Sequence, residues 1–145
     1  MSNSHTPPDN IIEVSHLNVH YGERQILNDI HFSVRKGEIM VIMGGSGSGK
    51  STLLRSLLGL LQPTSGTIKI LGKNIVELSE SEMHRLRRDI GVSFQGGALF
   101  GSMSVGENIK LPLQEHTRLD ENTMNIMTRI KLEVVNLAGF EDLMP

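Results

Sequence analysis

The residues best suited to chemistry form a glycine-rich loop that begins at Gly44. They fit the eight-position phosphate-binding pattern, in which a lysine and a hydroxyl residue follow the last glycine. The candidate site residues are Gly44, Gly45, Ser46, Gly47, Ser48, Gly49, Lys50 and Ser51, with Thr52 directly after them. Glycines let the backbone curve so that its N–H groups point inward at phosphate oxygens. The spacing therefore predicts a site for a nucleotide's phosphates.

Three side chains of this loop have distinct expected roles. The Lys50 ammonium would reach the β- and γ-phosphates, and the Ser51 hydroxyl would bind Mg²⁺. The Thr52 hydroxyl would donate to the α-phosphate. The competing interpretation is a Gly/Ser-rich linker with an accidental lysine.

The flanking elements argue against such a linker. Ile39–Met43 is apolar on both faces, which is typical of a central parallel strand covered on both sides. A Leu-rich helix is predicted from Thr52 to Leu61. A strand that enters the loop and a helix that leaves it place the positive end of the helix at the phosphates.

The remaining chain divides by pattern into an α/β part, residues 11–94, and a mainly helical part, residues 95–145. Residues 1–10 are polar, contain two prolines and are predicted to be a disordered tail. Ser79 and Glu82 have the spacing of a capping box. Strands are predicted over Ile11–Tyr21, around Ile30–Val34, and over Thr67–Leu71 and Ile90–Phe94; helices are predicted from Ser79 to about Arg88 and over Val105–Leu113 and Glu121–Val135.

Composition narrows the classes of function. The 145 residues suffice for one small domain, and the absence of cysteine excludes disulfides and thiolate metal sites. No apolar run approaches the roughly 18 to 20 residues that cross a bilayer, and residues 1–10 show no signal-peptide core. A net charge of -2 argues against a protein that coats nucleic acid.

Several further motifs resemble the opening of an ABC-transporter ATP-binding domain. They are Val19–Gly22, Ile26–Ile30, Val34–Glu38 and, like a Q-loop, Ile90–Gln95. The resemblance implies an α/β P-loop NTPase fold. Gln95–Phe100, Ser104-Val105, Glu107-Asn108, Pro112-Leu113, Glu115–Thr117, Lys131–Glu133 and Leu143–Pro145 further resemble the Mla-type phospholipid-trafficking ABC ATPases.

This resemblance implies roles for two more residues, with ATP and Mg²⁺ as cofactors. Tyr21 stands where the family has an aromatic ring stacked on adenine; the alternative is a tyrosine that faces the core. Gln95 stands at the Q-loop position, where its amide would meet Mg²⁺ or the attacking water; the alternative is a solvated loop residue. Residues 96–117 would lie beside a membrane subunit.

The resemblance also implies partners and a location. The partners would be a transmembrane permease, a membrane-anchored substrate-binding protein, a small cytoplasmic regulator and a second ATP-binding subunit. Nucleic acid is not expected as a partner. The location would be cytoplasmic, peripheral at the inner face of the cytoplasmic membrane.

The 145 residues contain no Leu-Ser-Gly-Gly-Gln signature, no Walker B run ending in Asp-Glu and no switch histidine after them. The chain is thus expected to be truncated before these motifs and, alone, not to hydrolyse ATP, so that no catalytic residue is assigned. Three alternatives stay open: a truncated nucleotide-binding remnant, a non-transport ABC ATPase and a small-molecule kinase.

Two clusters carry weaker hypotheses. His16 and His20 share a strand face, but no third ligand is apparent, so a metal site is not expected there. Arg85, Arg87 and Arg88 form a basic stretch with Lys73 and His84, which is interpreted as a solvated helix face.

Overall fold

The computed structural model describes residues 10–94, 96 and 98–145. It divides into two compact units, one up to Gly91 and one from Val92 to Pro145. We call them the strand unit and the helical unit. The predicted tail 1–10 falls outside the described residues, except that Asn10 already belongs to the first strand.

The strand unit contains a four-stranded antiparallel sheet with the order β2-β1-β3-β4. Its strands are β1 Asn10–Tyr21, β2 Arg24–Arg35, β3 Ser65–Ile70 and β4 Lys73–Asn74. β1 and β2 are joined by a two-residue turn, since Tyr21 pairs with Arg24. The predicted strand over Ile11–Tyr21 and the alternation around Ile30–Val34 are confirmed.

One face of this sheet packs on two helices, α1 Lys50–Leu57 and α2 Glu80–Arg87. Alternate residues of the strands and the apolar face of α2 supply the core, which includes Val14, Leu17, Val19, Ile68 and Leu86. Burying such side chains stabilises a fold by roughly 1.5–3 kcal/mol each.

Helix α1 begins earlier and ends sooner than the predicted Thr52–Leu61. Gly59 follows it with φ +63°, a left-handed conformation that ends a helix and that glycine adopts without strain. The Arg87 guanidinium then donates to the carbonyl oxygens of Leu58, at 3.3 Å, and Gly59, at 3.2 Å. The positive charge of Arg87 also interacts favourably with the negative end of the helix dipole.

The capping box predicted at Ser79 is confirmed. The Ser79 hydroxyl accepts from the Glu82 amide at 3.4 Å, and the Ser79 amide donates to the Glu82 carboxylate at 3.0 Å. These bonds satisfy N–H groups that the first turn of α2 cannot pair internally. They also place Glu82 near the positive end of the helix.

The strand predicted at Ile39–Met43 is absent. Residues 38–45 have no regular secondary structure, and the side chains of Ile39 and Met43 are 90% and 87% exposed. A strand requires a hydrogen-bonded neighbour, and no other part of the described chain pairs with this run. The strand predicted at Ile90–Phe94 is also wrong, for the same reason.

The helical unit contains α3 Val105–His116 and α4 Glu121–Val134, as the sequence predicts apart from a longer α3. A second capping box, formed by Ser104 and Glu107, starts α3. Helix α4 buries Met124, Thr128 and Leu132. An ion pair of 2.8 Å joins Lys110 of α3 to Glu121 of α4.

Candidate functional site: a phosphate-binding loop

The glycine-rich loop ends where α1 begins, so the first turn of the helix faces the loop. Gly49 is the N-cap residue of α1. As a glycine it has no side chain that could cap the helix. The first turn contains no acidic residue. A helix cannot pair the N–H groups of its first turn internally, so these groups and the positive end of the helix dipole favour an anion at this position.

The Lys50 ammonium is folded back over the loop. Its Nζ donates to the carbonyl oxygens of Gly44, at 2.6 Å, and Gly45, at 2.7 Å, and to the Ser48 hydroxyl at 3.3 Å. These contacts close the loop around the lysine and hold the positive charge at its centre. The phosphate-binding role that the sequence predicts for Lys50 stays a prediction.

Two glycines of the loop have backbone angles that other residues rarely adopt. Gly47 has φ +77° and Gly49 has φ +93°. At Gly49 a Cβ would also lie 2.8 Å from Leu27 Cδ2 and 3.3 Å from the Ile26 carbonyl oxygen. The loop therefore rests directly on β2, and this close approach requires glycine.

A cleft of about 250 Å³ opens beside the loop. It is lined by Tyr21, Arg24 and Ile26 from the β1–β2 hairpin and by the loop and helix residues from Gly47 to Thr52. The Tyr21 side chain is 45% exposed, so it does not belong to the core. One wall of the cleft thus offers an aromatic ring, and the other consists of the glycine-rich loop and the first residues of α1.

The charges in this cleft are positive. Arg24 and Lys50 line it, and no aspartate or glutamate is among its described lining residues. A bare Mg²⁺ ion would therefore find too few oxygen ligands there, whereas Mg²⁺ that arrives bound to phosphates needs only one or two protein ligands. The exposed Ser51 in the first turn fits that requirement.

The predicted site residues differ in where the structure places them. Tyr21 and Gly47–Thr52 line the cleft, and Thr52 is buried within α1. Gly44 and Gly45 contact Lys50 through their carbonyls, while Ser46 is an exposed turn residue. Gln95 lies outside the described residues.

Arg24 was missed by the sequence reasoning. The available signal was the two-residue turn at Gly22-Glu23, which places Arg24 directly opposite Tyr21. The basic stretch also needs correction at one position, because Arg87 binds the carbonyls at the end of α1 and is not simply a solvated charge.

Comparison with protein families matches residues 27–142 to the ABC transporter family. The chain belongs to the ABC transporter family. The match spans the loop and helices α1 to α4, so the α/β P-loop fold expected from the sequence is confirmed.

Relatives within this family have two kinds of name. The chain is 43% identical, over 94% of its length, to the intermembrane phospholipid transport system ATP-binding protein MlaF of Haemophilus influenzae. It is 39% identical over 94% of its length to MlaF of Escherichia coli. It is also 42% identical, over 92% of its length, to the probable ribonucleotide transport ATP-binding protein mkl of Mycobacterium leprae.

Solved ABC structures share the fold. A dimeric, post-hydrolysis structure of the ATP-binding cassette MJ0796 with ADP and Pi gives a TM-score of 0.82 at 29% identity, over 92% of this chain. The CbiO1 subunit of Clostridium perfringens, part of the transporter complex CbiONQ, gives 0.79 at 30% identity over the same share. These matches cover 61% and 53% of the respective solved chains.

The chain spans about half the length of the MlaF proteins it matches, 52% and 51%, and 39% of mkl. The family assignment thus applies to the part that carries the phosphate-binding loop. Within the described residues, no helix combines the length and the apolar character that a membrane span requires.

Proposed function

We propose that this chain is the nucleotide-binding part of an ABC transporter's ATP-binding subunit and that it binds Mg-ATP through Gly44–Thr52. The observation that carries the proposal is the position of the Lys50 ammonium. It lies 2.6 and 2.7 Å from two loop carbonyls, at the positive end of α1 and beside an aromatic-walled cleft. Phosphate oxygens bound at the loop would accept from this ammonium and from the backbone N–H groups.

Ser51 would supply the protein's hydroxyl ligand to Mg²⁺ on the nucleotide, and Gln95 would supply a second oxygen. Mg²⁺ neutralises charge between the β- and γ-phosphates when it is bound. Tyr21 would stack on the adenine ring, and Arg24 adds positive charge to the same cleft. Thr52 would donate to the α-phosphate.

A lysine substitution tests this site. We expect Lys50→Ala to weaken Mg-ATP binding about tenfold to hundredfold, because it removes the positive charge that would face the phosphates, and losing an interaction with a charged group costs about 1.5–3 kcal/mol. Titration calorimetry or a fluorescent ATP analogue measures the affinity. Lys131→Ala, an exposed position on α4, is the matched control and should bind like the parent. Parent-like affinity in Lys50→Ala would contradict the proposal.

The same variant tests turnover. We expect the 145-residue chain to release phosphate from ATP no faster than Lys50→Ala does. Phosphoryl transfer depends on groups that position water and stabilise charge, and the family's Walker B carboxylates are not among these residues. Phosphate release well above that of Lys50→Ala would overturn this expectation while leaving the binding proposal intact.

For the whole subunit we propose phospholipid transport, with a permease, a membrane-anchored substrate-binding protein and a small cytoplasmic regulator as partners. Two such subunits would form a dimer at the inner face of the cytoplasmic membrane. The names of the two MlaF relatives support this proposal. The mkl relative supports ribonucleotide transport as the second candidate, at almost the same identity.

Chimeras separate the two candidates. Residues 10–144 would replace the matching segment of Escherichia coli MlaF in one chimera and of Mycobacterium leprae mkl in another. We expect the first to restore phospholipid transport in cells without MlaF, and its Lys50→Ala version to fail. If only the mkl chimera is functional, the result would favour ribonucleotide transport. Failure of both, with ATP binding preserved, would favour a nucleotide-binding remnant.

A further inference from the structure

Three polar side chains converge on the exposed surface of the β1–β2 hairpin, apart from the nucleotide cleft. His16 Nδ1 lies 3.0 Å from Asp29 Oδ1, and His31 Nε2 lies 2.9 Å from the same oxygen. The two imidazole rings meet edge to face, with centroids 4.4 Å apart. Hydrogen bonds from His31 and then His16 lower the pKa of the Asp29 carboxyl, which favours its charged form.

The backbone is built to bring these side chains together. β1 has one extra residue between Val14 and Leu17, and β2 has one extra residue between Leu27 and Ile30. Each of these bulges contains a residue with positive φ, +52° at His16 and +48° at Asp29. Such angles are uncommon for residues other than glycine, so the surrounding structure must maintain both.

Asn18 provides that support. Its Nδ2 donates to the His16 carbonyl at 2.9 Å, and its Oδ1 accepts from the Asp29 amide at 2.9 Å. Gly66 of β3 leaves room for the bulge in β1, because a Cβ there would collide with the His16 carbonyl oxygen. Asn18 thus holds the backbone at both His16 and Asp29, and Gly66 accommodates the bulge at His16.

We propose that His16 Nδ1, Asp29 Oδ1 and His31 Nε2 bind a divalent transition metal of the Zn²⁺ type. These three ligand atoms lie within 4.8 Å of one another. In a tetrahedral zinc site with bonds of about 2.0–2.1 Å, neighbouring ligands lie about 3.3 Å apart. The two measured N–O distances are therefore already close to that spacing. Water fills the fourth position, since all three residues are exposed.

Metal binding changes the positions of the ring protons. The lone pairs of His16 Nδ1 and His31 Nε2 must face the metal, so each neutral ring carries its proton on the other nitrogen. For His16 this proton points away from the cluster. For His31 the proton would lie on Nδ1. In the structure this Nδ1 instead accepts a hydrogen bond from the His16 amide at 3.3 Å. Metal binding would therefore break this long hydrogen bond.

The ligand set also defines selectivity. Two imidazoles with one carboxylate suit Zn²⁺, Co²⁺ or Ni²⁺, whereas Mg²⁺ prefers an all-oxygen shell. The site is therefore distinct in chemistry from a Mg-ATP site. The pair His16 and His20, considered from the sequence, is not the one that converges, because the His20 ring contacts Thr64 instead.

Zinc titration of the untagged, nucleotide-free chain tests the proposal. We expect stoichiometric binding that excess Mg²⁺ does not displace. His16→Asn, Asp29→Asn and His31→Gln should each weaken Zn²⁺ binding about tenfold or more. Asparagine tolerates positive φ better than most residues, so the first two variants preserve the bulges. His20→Gln is the matched control and should bind Zn²⁺ like the parent.

Cobalt gives a second readout that a purely structural role would not change. The parent should show the visible absorption of tetrahedral Co²⁺, and the three variants should lose it while retaining the parent's far-ultraviolet circular dichroism. Equal Zn²⁺ affinity in the parent and in a variant that combines the three substitutions, or an octahedral Co²⁺ spectrum in the parent, would overturn the proposal. The cluster would then be a hydrogen-bonded brace only.

Discussion

At the scale of single residues, Tyr21 and Lys50 would bind different parts of the proposed nucleotide. The tyrosine ring is 45% exposed on one wall of the cleft, and the lysine ammonium lies in the loop on the other. An aromatic ring binds a base through area and stacking, whereas an ammonium binds phosphate through charge. A ligand without a base should therefore depend on Lys50 for its affinity but not on Tyr21.

We predict that Tyr21→Ala weakens ATP binding about fivefold to hundredfold, because stacking on a base contributes about 1–3 kcal/mol. Binding of inorganic triphosphate should not change, and Tyr21→Phe should retain ATP affinity. Competition titrations with both ligands measure this. An equal loss of ATP and triphosphate affinity would show that Tyr21 supports the loop and does not stack on adenine.

The residue scale also shows what the sequence can reveal. Gly44–Thr52 is recognisable because its groups are contiguous and the spacing is set by the chemistry of phosphate binding. The cluster of His16, Asp29 and His31 is not, because two bulges shift the pairing of β1 with β2. A bulge changes which side chains meet across a sheet, and the pattern of apolar residues does not report it.

At the scale of elements, features that depend on neighbouring residues could be predicted from the sequence, whereas the pairing of strands could not. Ser79 and Glu82 are three residues apart, so the capping box needs no distant partner and could be predicted. Ile39–Met43 has the composition of a buried strand, but composition cannot supply the neighbouring strand on which such a structure depends. The helices of the helical unit were predictable because caps and periodicity are both local.

The capping box of α2 should make its stability depend on pH. The Ser79 hydroxyl, and next the Ser79 amide, lower the pKa of Glu82 below its usual value of 4.5. A depressed carboxyl pKa in the folded state stabilises the fold above the unfolded pKa, and this stabilisation disappears as the pH falls through the folded pKa. The contribution should therefore be full at pH 7 and lost well below pH 4.5.

We predict that Ser79→Ala lowers the free energy of unfolding at pH 7 by about 1 kcal/mol. The difference from the parent should shrink as the pH falls below the usual glutamate range. Urea titrations followed by circular dichroism at several pH values measure it. Ser102→Ala, at an exposed serine outside any helix, serves as the control. A difference that does not change with pH would show that Glu82 takes no part in the effect.

At the scale of the whole molecule, five consecutive apolar residues, Ile39–Met43, are exposed. Ile39, Val41 and Met43 are the most exposed of them, at 90%, 72% and 87%. Contiguous apolar surface of this kind favours association with other chains. The same run leads directly into the phosphate-binding loop.

We therefore predict that the chain self-associates as its concentration rises and that Val41→Lys reduces this association. A charge placed within an apolar, strand-forming run opposes intermolecular pairing. Analytical ultracentrifugation over a concentration series measures the effect. Leu119→Lys, at an isolated exposed leucine, is the control and should associate like the parent. Unchanged association in Val41→Lys would place the contact surface elsewhere.

The contacts of Lys50 have a calorimetric consequence. Its ammonium already makes short hydrogen bonds to the Gly44 and Gly45 carbonyls, so a nucleotide bound as proposed would have to displace these acceptors before its phosphates contact the lysine. For this side chain, binding is an exchange of partners with little net gain in hydrogen bonds. The heat released at the lysine should then be small even where its contribution to affinity is large. Much of that contribution would appear as entropy, from water released when the phosphates enter the loop.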